Sequence, residues 1–307
     1  MMDTFVTIRV YDRHLPKDKI LSVIAEAETR IAEIESLTTT YQKNSEVIEL
    51  NKHAGQGVQK VSPDIIKITR LAQQVSAWSS GAFDITVGPI SMLWGFGRSE
   101  HMRVPPADSI QALLPHVDYH KVRVLDQGIE ITDPRAGIEL SGIAKGYAVD
   151  RAIETLRAAG VTDAQVDAGG DLRTLASELT IGKRHVYVRH PRDHEQFFGR
   201  FRMDEGAVAT SGDYERYFIQ DSVRYHHILN PATGYPARKS VSVTVKGPTT
   251  ALCDALSTAV FVMGPKEGIA LLERLDDIEG LIIYQENGEL KYNITSGLKD
   301  SFELLTK

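Results

Sequence analysis

Strand-like and helix-like segments follow one another in this chain without strict alternation, and that order constrains the fold more than any other feature. Residues 4–10 alternate as a strand does. Residues 17–37 carry Ile20, Ile24, Ala27, Ile31 and Ile34 at helical spacing behind Pro16. Residues 64–79 repeat the pattern with Ile65, Ile68, Leu71 and Val75 behind Ser62-Pro63. Residues 80–106 read as loop, broken by glycines and prolines, and Pro105-Pro106-Ala107-Asp108 opens a short helix ending near Pro115. Short strands are expected at 122–124, 129–132 and 137–140, then an amphipathic helix over 144–159 closed by Gly160. Further strands are predicted at 164–167, 185–189, 197–203, 207–210, 225–229, 241–246 and 280–284, with helices over 249–263 and 266–275. This mixture predicts an α+β fold rather than a doubly wound sheet. No repeat or linker divides the chain, so one domain over 1–307 is expected, with a smaller helix-rich part at about 11–104.

Composition removes several function classes. The 307 residues are 42% hydrophobic and 25% charged, which is globular composition with length enough for a substantial core. A net charge of -6 offers no basic excess for a phosphate backbone. The lone cysteine, Cys253, excludes an internal disulfide and any multi-cysteine metal site. It sits in an apolar helical stretch and reads as a small buried hydrophobe. No run approaches the roughly 18 apolar residues of a membrane span. Met1-Met2-Asp3-Thr4-Phe5 enters a strand directly with no export signal in view, so either a cytoplasmic protein or one with its export segment removed is expected.

Four clusters put polar groups where a core would not want them. Leu140-Ser141-Gly142-Ile143-Ala144-Lys145-Gly146-Tyr147 lies between a strand and a helix start. Small residues there let backbone approach a ligand, free N–H groups favour an anion, and Lys145 adds positive charge. A tight turn with a solvated lysine is the equal alternative. Asp167-Ala168-Gly169-Gly170-Asp171 reads by itself as a turn. Thr210-Ser211-Gly212-Asp213-Tyr214-Glu215-Arg216-Tyr217 is followed by Tyr225-His226-His227-Ile228-Leu229-Asn230-Pro231-Ala232-Thr233-Gly234-Tyr235-Pro236, where adjacent histidines on a strand point to opposite faces. His226 is expected to pack inward; His227 could do the same or serve as a general base. Asp254 and Thr258, four apart on an apolar helix, share one face. A buried Asp needs a partner, and a hard divalent cation is one; a solvated first-turn acid is the other reading.

Together these clusters resemble the ApbE family of FAD:protein FMN transferases. Further stretches carry the resemblance: Met2-Asp3-Thr4, Tyr41 with Ser45-Glu46-Val47, Gly81-Ala82-Phe83-Asp84-Ile85-Thr86-Val87-Gly88-Pro89, and Leu93-Trp94-Gly95-Phe96-Gly97. It covers nearly the whole chain. The resemblance implies an α+β fold with a T-fold-related core of mixed or antiparallel sheet and packed helices. It implies FAD as substrate, a divalent cofactor (Mg²⁺ or Mn²⁺), release of AMP, and transfer of FMN to a Thr or Ser of a target flavoprotein such as a redox-complex subunit. It also implies the extracytoplasmic side of a bacterial cell envelope. By position, Asp254, Thr258 and the Gly142 carbonyl match metal ligands. Met2, Tyr41, Ala82, Phe83, Asp84, Glu139, Lys145 and Ile228 match positions lining the FAD site. His227 matches the base that activates the acceptor, and Lys145 holds negative charge. Asp3, Glu139 and Asn230 depart from the usual residues. The alternatives are an FAD pyrophosphatase with water as acceptor, a non-catalytic FAD-binding protein, and a redox flavoenzyme, the last without a GxGxxG fingerprint to support it.

Overall fold

The computed structural model describes residues 2, 4–12, 14–41, 44–96, 102–178 and 180–306, so Asp3 and Gly97 of the family-like stretches lie outside it. Its frame is a seven-stranded sheet in the order Val6–Val10, Ala164–Ala168, Asp171–Leu175, Gly206–Gly212, Ser242–Gly247, Glu279–Glu286, Glu289–Ile294. Every neighbouring pair in it is antiparallel. Period-two alternation assigns its faces. On the sixth strand Ile282 packs with the helical core, whereas Leu281 and Ile283 pack the other way with Phe198 and Phe201. Those two phenylalanines belong to a three-stranded sheet of Glu303–Leu304, Phe197–Arg202 and His185–Arg189 that covers the far face.

Eight α-helices are described: α1 (Lys17–Thr38), α2 (Glu46–Lys52), α3 (Pro63–Trp78), α4 (Gly88–Trp94), α5 (Ala107–Leu113), α6 (Ser141–Ala158), α7 (Thr250–Met263) and α8 (Pro265–Leu272). α7 is apolar on nearly every side, and such a helix must be buried. It lies among α3, α6, α8 and the sheet. α1 lays its stripe of Val23, Ala27, Ile31 and Ile34 towards α6. Among the described residues no helix is long and apolar enough to cross a membrane. The fold is thus α+β, with helices at the N-terminal end and antiparallel sheets.

Three expectations are corrected. Residues 80–106 are not simply loop, because they hold the 3-10 turn Ile85–Val87 and helix α4. Gly88-Pro89 occupies the first turn of α4, where a missing N–H costs nothing, and Gly95 ends the helix at φ 79. Residues 137–140 pair with no strand; instead the Asn51 amide takes both backbone groups of Ile138, accepting from its N–H at 2.7 Å and donating to its carbonyl at 2.8 Å. The strand expected over 225–229 breaks at His227, leaving Val223–His226 and Leu229–Asn230. The sequence reading also has no counterpart for α2, which Ser45 caps through Ile48 N–H, nor for the strands Asp171–Leu175, Tyr217–Gln220 and Glu289–Ile294.

α6 and α7 touch where α6 has no side chain. A Cβ on Gly146 would stand 2.4 Å from the Thr250 carbonyl oxygen. Gly146→Ala is therefore expected to lower unfolding free energy by roughly 1–3 kcal/mol through overpacking. Denaturant unfolding measures this; an unchanged midpoint would mean that the helices separate freely.

Candidate active site

Eight stretches of the chain meet at one cavity of about 370 Å³. Met2, Tyr41, Ala82, Phe83, Asp84, Glu139, Gly142, Lys145, His227, Ile228, Asp254 and Thr258 all line it. The first turn of α6 starts three residues earlier than its apolar periodicity, so Ser141 and Gly142 lie inside the helix. A Cβ on Gly142 would stand 3.1 Å from Phe83 Cε2 and 3.7 Å from Thr258 Oγ1, so an added side chain would press on the Phe83 ring.

Lys145 is half-buried and ion-paired rather than free in solvent. Its Nζ lies 2.9 Å from Asp171 Oδ2 as an ion pair, and no other cation is paired with Asp171 among the described residues. Asp171 is 1% exposed and Asp254 is 6% exposed. Asp254 lies beyond the first turn of α7, and its Oδ2 accepts from Gly146 N–H at 3.1 Å. That amide is the one an i→i−4 ladder directs at the Gly142 carbonyl. Burial, then the Asp171 carboxylate, pushes the Asp254 carboxyl well above the usual range, although Lys145 opposes the shift. Asp171 is raised by burial against the pull of Lys145. Burial would lower Lys145, but Asp171 and Asp254 outweigh it and hold the ammonium charged. Two buried carboxylates therefore share one ammonium.

Hydroxyls continue this polar cluster. Ser211 Oγ is 3.1 Å from Thr258 Oγ1 and 2.8 Å from Ser257 Oγ, and Ser257 donates to the Asp254 carbonyl at 2.8 Å. Asp171 and Ser211 stand in the sequence clusters without an assigned role, and Ser257 is not singled out by the sequence. The turn that places Asp171 was visible. Gly169 and Gly170 have φ 62 and 96 and join the paired residues Ala168 and Asp171, a two-residue hairpin loop that glycines favour. Nothing local showed that the Asp after it would be buried against Lys145.

The two histidines diverge, although the strand ends at His226. His226 is 2% exposed; its Nε2 is 2.7 Å from the Ala237 carbonyl, while its Nδ1 accepts from Ile228 N–H at 3.3 Å. Burial lowers its pKa to about 4. His227 faces the cavity, with Nδ1 3.2 Å from the Arg216 carbonyl. A carbonyl only accepts, so Nδ1 carries the proton and Nε2 keeps its lone pair. Burial first, then the Arg216 guanidinium and His226, lower His227 to about 3. Neither ring should titrate between pH 5 and 8 in the ligand-free protein. Imidazole NMR shifts check this, and a midpoint near 6.5 for His226 would contradict its burial.

Other wall residues are held by the scaffold. Asp84 accepts from Thr86 N–H at 2.8 Å, Thr86 Oγ1 at 2.6 Å and Tyr119 N–H at 2.8 Å. Burial still raises its pKa. Glu139 Oε1 accepts from Ser141 N–H at 2.7 Å at the start of α6. Met2 N–H donates to Glu35 Oε1 at 2.7 Å.

Among the described residues no three His, Cys, Asp or Glu side chains gather as a metal cluster. The donor set at α6 and α7 is instead one carboxylate, one hydroxyl and one backbone carbonyl, all oxygen. Hard cations such as Mg²⁺ prefer oxygen and keep positions for water and phosphate. The uncompensated carboxylate of the Asp171–Lys145–Asp254 group is a physical reason for a cation there, so these residues fit the ion.

A profile of the ApbE family matches residues 2–282. An FAD:protein FMN transferase of Vibrio cholerae is 31% identical over 277 residues, covering 89% of this chain and 83% of that one. A second, from Klebsiella pneumoniae, is 34% identical over 257 residues, covering 82% and 79%. Among solved structures, an ApbE protein of Thermotoga maritima superposes with TM-score 0.86 at 34% identity, over 98% of this chain and 96% of that one. The flavin transferase ApbE of Vibrio cholerae gives TM-score 0.87 at 28% identity, over 97% and 96%.

Proposed function

The chain belongs to the ApbE family, and from that membership we propose that it transfers the FMN part of FAD to a Thr or Ser hydroxyl of a target flavoprotein, releasing AMP. The observation that carries this reading is the pair of buried carboxylates, Asp171 and Asp254, sharing Lys145 beside a histidine whose Nε2 is unprotonated. Asp254, Thr258 and the Gly142 carbonyl would hold Mg²⁺ or Mn²⁺. When bound, the ion would neutralise pyrophosphate oxygens and the leaving AMP. The same reading carries kinship of the sheet to the T-fold, and redox-complex subunits as acceptors.

The remaining steps belong to this chain's own residues. Lys145 and the α6 N-terminal amides hold negative charge. Ala82, Phe83 and Ile228 supply apolar wall for the flavin part of the substrate. The acceptor hydroxyl oxygen bonds to the FMN-side phosphorus as the P–O bond to AMP breaks. His227 Nε2 takes the hydroxyl proton. A base with a pKa of about 3 is weak, so substrate must strengthen it. A unit negative charge about 4 Å away contributes roughly 4 kcal/mol at an effective dielectric of about 20, or about 3 pK units. Negative charge that the bound pyrophosphate keeps beyond the cation and Lys145 would raise the pKa of His227 towards neutrality.

AMP release from FAD, followed with Mg²⁺ and with EDTA, tests the reading. Mg²⁺-dependent AMP accompanied by protein-bound flavin is the expected result. AMP with only free FMN, even when acceptor is supplied, would assign the site to a pyrophosphatase. FAD bound but left intact would assign it to a binding protein.

A further inference from the structure

A second cavity, of about 330 Å³, lies behind the histidine pair and shares no lining residue with the first. Among the described residues, three guanidinium groups, Arg192, Arg224 and Arg238, line it together with a single carboxylate, Asp213. Arg192 grips Asp213 with two bonds of 2.6 and 2.7 Å, and Arg224 reaches the same carboxylate at 3.3 Å. Asp213 is buried, and its backbone N–H is anchored to the Val241 carbonyl at 3.1 Å. Arg224 also lies 4.3 Å from the Tyr217 ring centroid, which fixes its plane. Arg238 rests over Tyr225 at 5.5 Å, with no carboxylate within ion-pair distance among the described residues. His226 contributes no charge, because both its ring nitrogens are engaged and the ring is neutral near pH 7.

Three positive charges against one negative leave the cavity with an excess of two in a chain whose net charge is -6. A second observation points the same way. Ser240 lines the cavity, is 4% exposed, and its Oγ has no hydrogen-bond partner among the described residues. A buried hydroxyl without a partner costs free energy that a ligand oxygen would recover. Guanidinium groups match oxyanions in geometry, and a phosphoryl group carries about -1.5 to -2 charge with three acceptor oxygens at pH 7. A single carboxylate would leave about half of the excess charge unmatched.

We propose that this arginine cavity binds the phosphoryl group of a small phosphorylated molecule, separately from the cavity that holds the reacting groups. Arg224 and Arg238 take the oxyanion from two sides, Arg192 remains on Asp213, and Ser240, whose Oγ is buried in the wall, turns its hydroxyl to the bound oxyanion. The two cavities are joined through the consecutive residues His226 and His227, one lining each.

Isothermal titration calorimetry of the whole chain tests this, in EDTA with saturating FAD so that the first cavity is filled. The probes are inorganic phosphate, glycerol 2-phosphate and succinate. Saturable binding of a phosphate probe is expected, weakened about tenfold by Arg238→Gln and at least about threefold by Ser240→Ala. Arg238 is exposed and Ser240→Ala removes an unpartnered hydroxyl, so both variants should fold. Tighter binding of glycerol 2-phosphate than of inorganic phosphate identifies an esterified ligand; the reverse order identifies free phosphate. Absence of saturable phosphate binding overturns the proposal. So does equal affinity in wild type and both variants, or succinate binding as tightly as phosphate.

Discussion

Asp254→Asn is expected to abolish Mg²⁺-dependent turnover while making the metal-free protein more stable. Asp254 and Asp171 are both buried, and Lys145 can neutralise only one of them. A carboxyl whose folded pKa is raised binds more protons folded than unfolded. Its contribution to stability is thus favourable at low pH and is lost as pH rises towards that raised pKa. At neutral pH an uncharged isostere removes this penalty, and Asn can still accept from Gly146 N–H. The gain should be on the order of 1 kcal/mol or more, read by denaturant unfolding in EDTA. Turnover should fall on the order of a thousandfold, because charge on the pyrophosphate is no longer opposed. Wild-type turnover, or a less stable metal-free protein, would remove Asp254 from the ion site. In the native chain, protons compete with the ion for the same carboxylate. Mg²⁺ affinity should therefore weaken up to about tenfold per pH unit as pH falls below the raised pKa.

His227→Ala should keep FAD binding within about threefold and reduce transfer by about 10²- to 10⁴-fold. The expectation follows from the Arg216 carbonyl, which takes the Nδ1 proton and leaves Nε2 free in the cavity. Fluorescence titration with FAD separates binding from chemistry, and single-turnover AMP release measures the chemistry. A transfer rate unchanged by the substitution would refute the base role. A large loss of FAD affinity with normal single-turnover rate would make the ring a binding element instead.

Much of the helical frame was legible. α1, α3 and α6 announce themselves by apolar periodicity and by Pro16, Ser62-Pro63 and Gly160 at their ends. α4 was not legible, because Gly88-Pro89 signals a break and only its position in the first turn makes it a helix start. Residues 137–140 have strand composition, yet the Asn51 amide supplies the hydrogen bonds a neighbouring strand would have given. At the site, the i,i+4 relation of Asp254 and Thr258 was readable from the chain. That Met2, Tyr41, Asp84, Gly142, His227 and Asp254 share a cavity was not, since periodicity says nothing about contacts across such separations. The family resemblance brought those residues together in expectation. Neither route gave Asp171 its role: Gly169-Gly170 explains the hairpin, and the burial of Asp171 against Lys145 is purely tertiary.

Tandem mass spectrometry of an acceptor flavoprotein domain, incubated with this protein, FAD and Mg²⁺, tests the central claim most directly. The account predicts FMN joined through a phosphoester to one Thr or Ser, in amounts matching the AMP released, and neither product in EDTA. AMP formed stoichiometrically with free FMN while the acceptor stays unmodified, across acceptors that other flavin transferases modify, would contradict it.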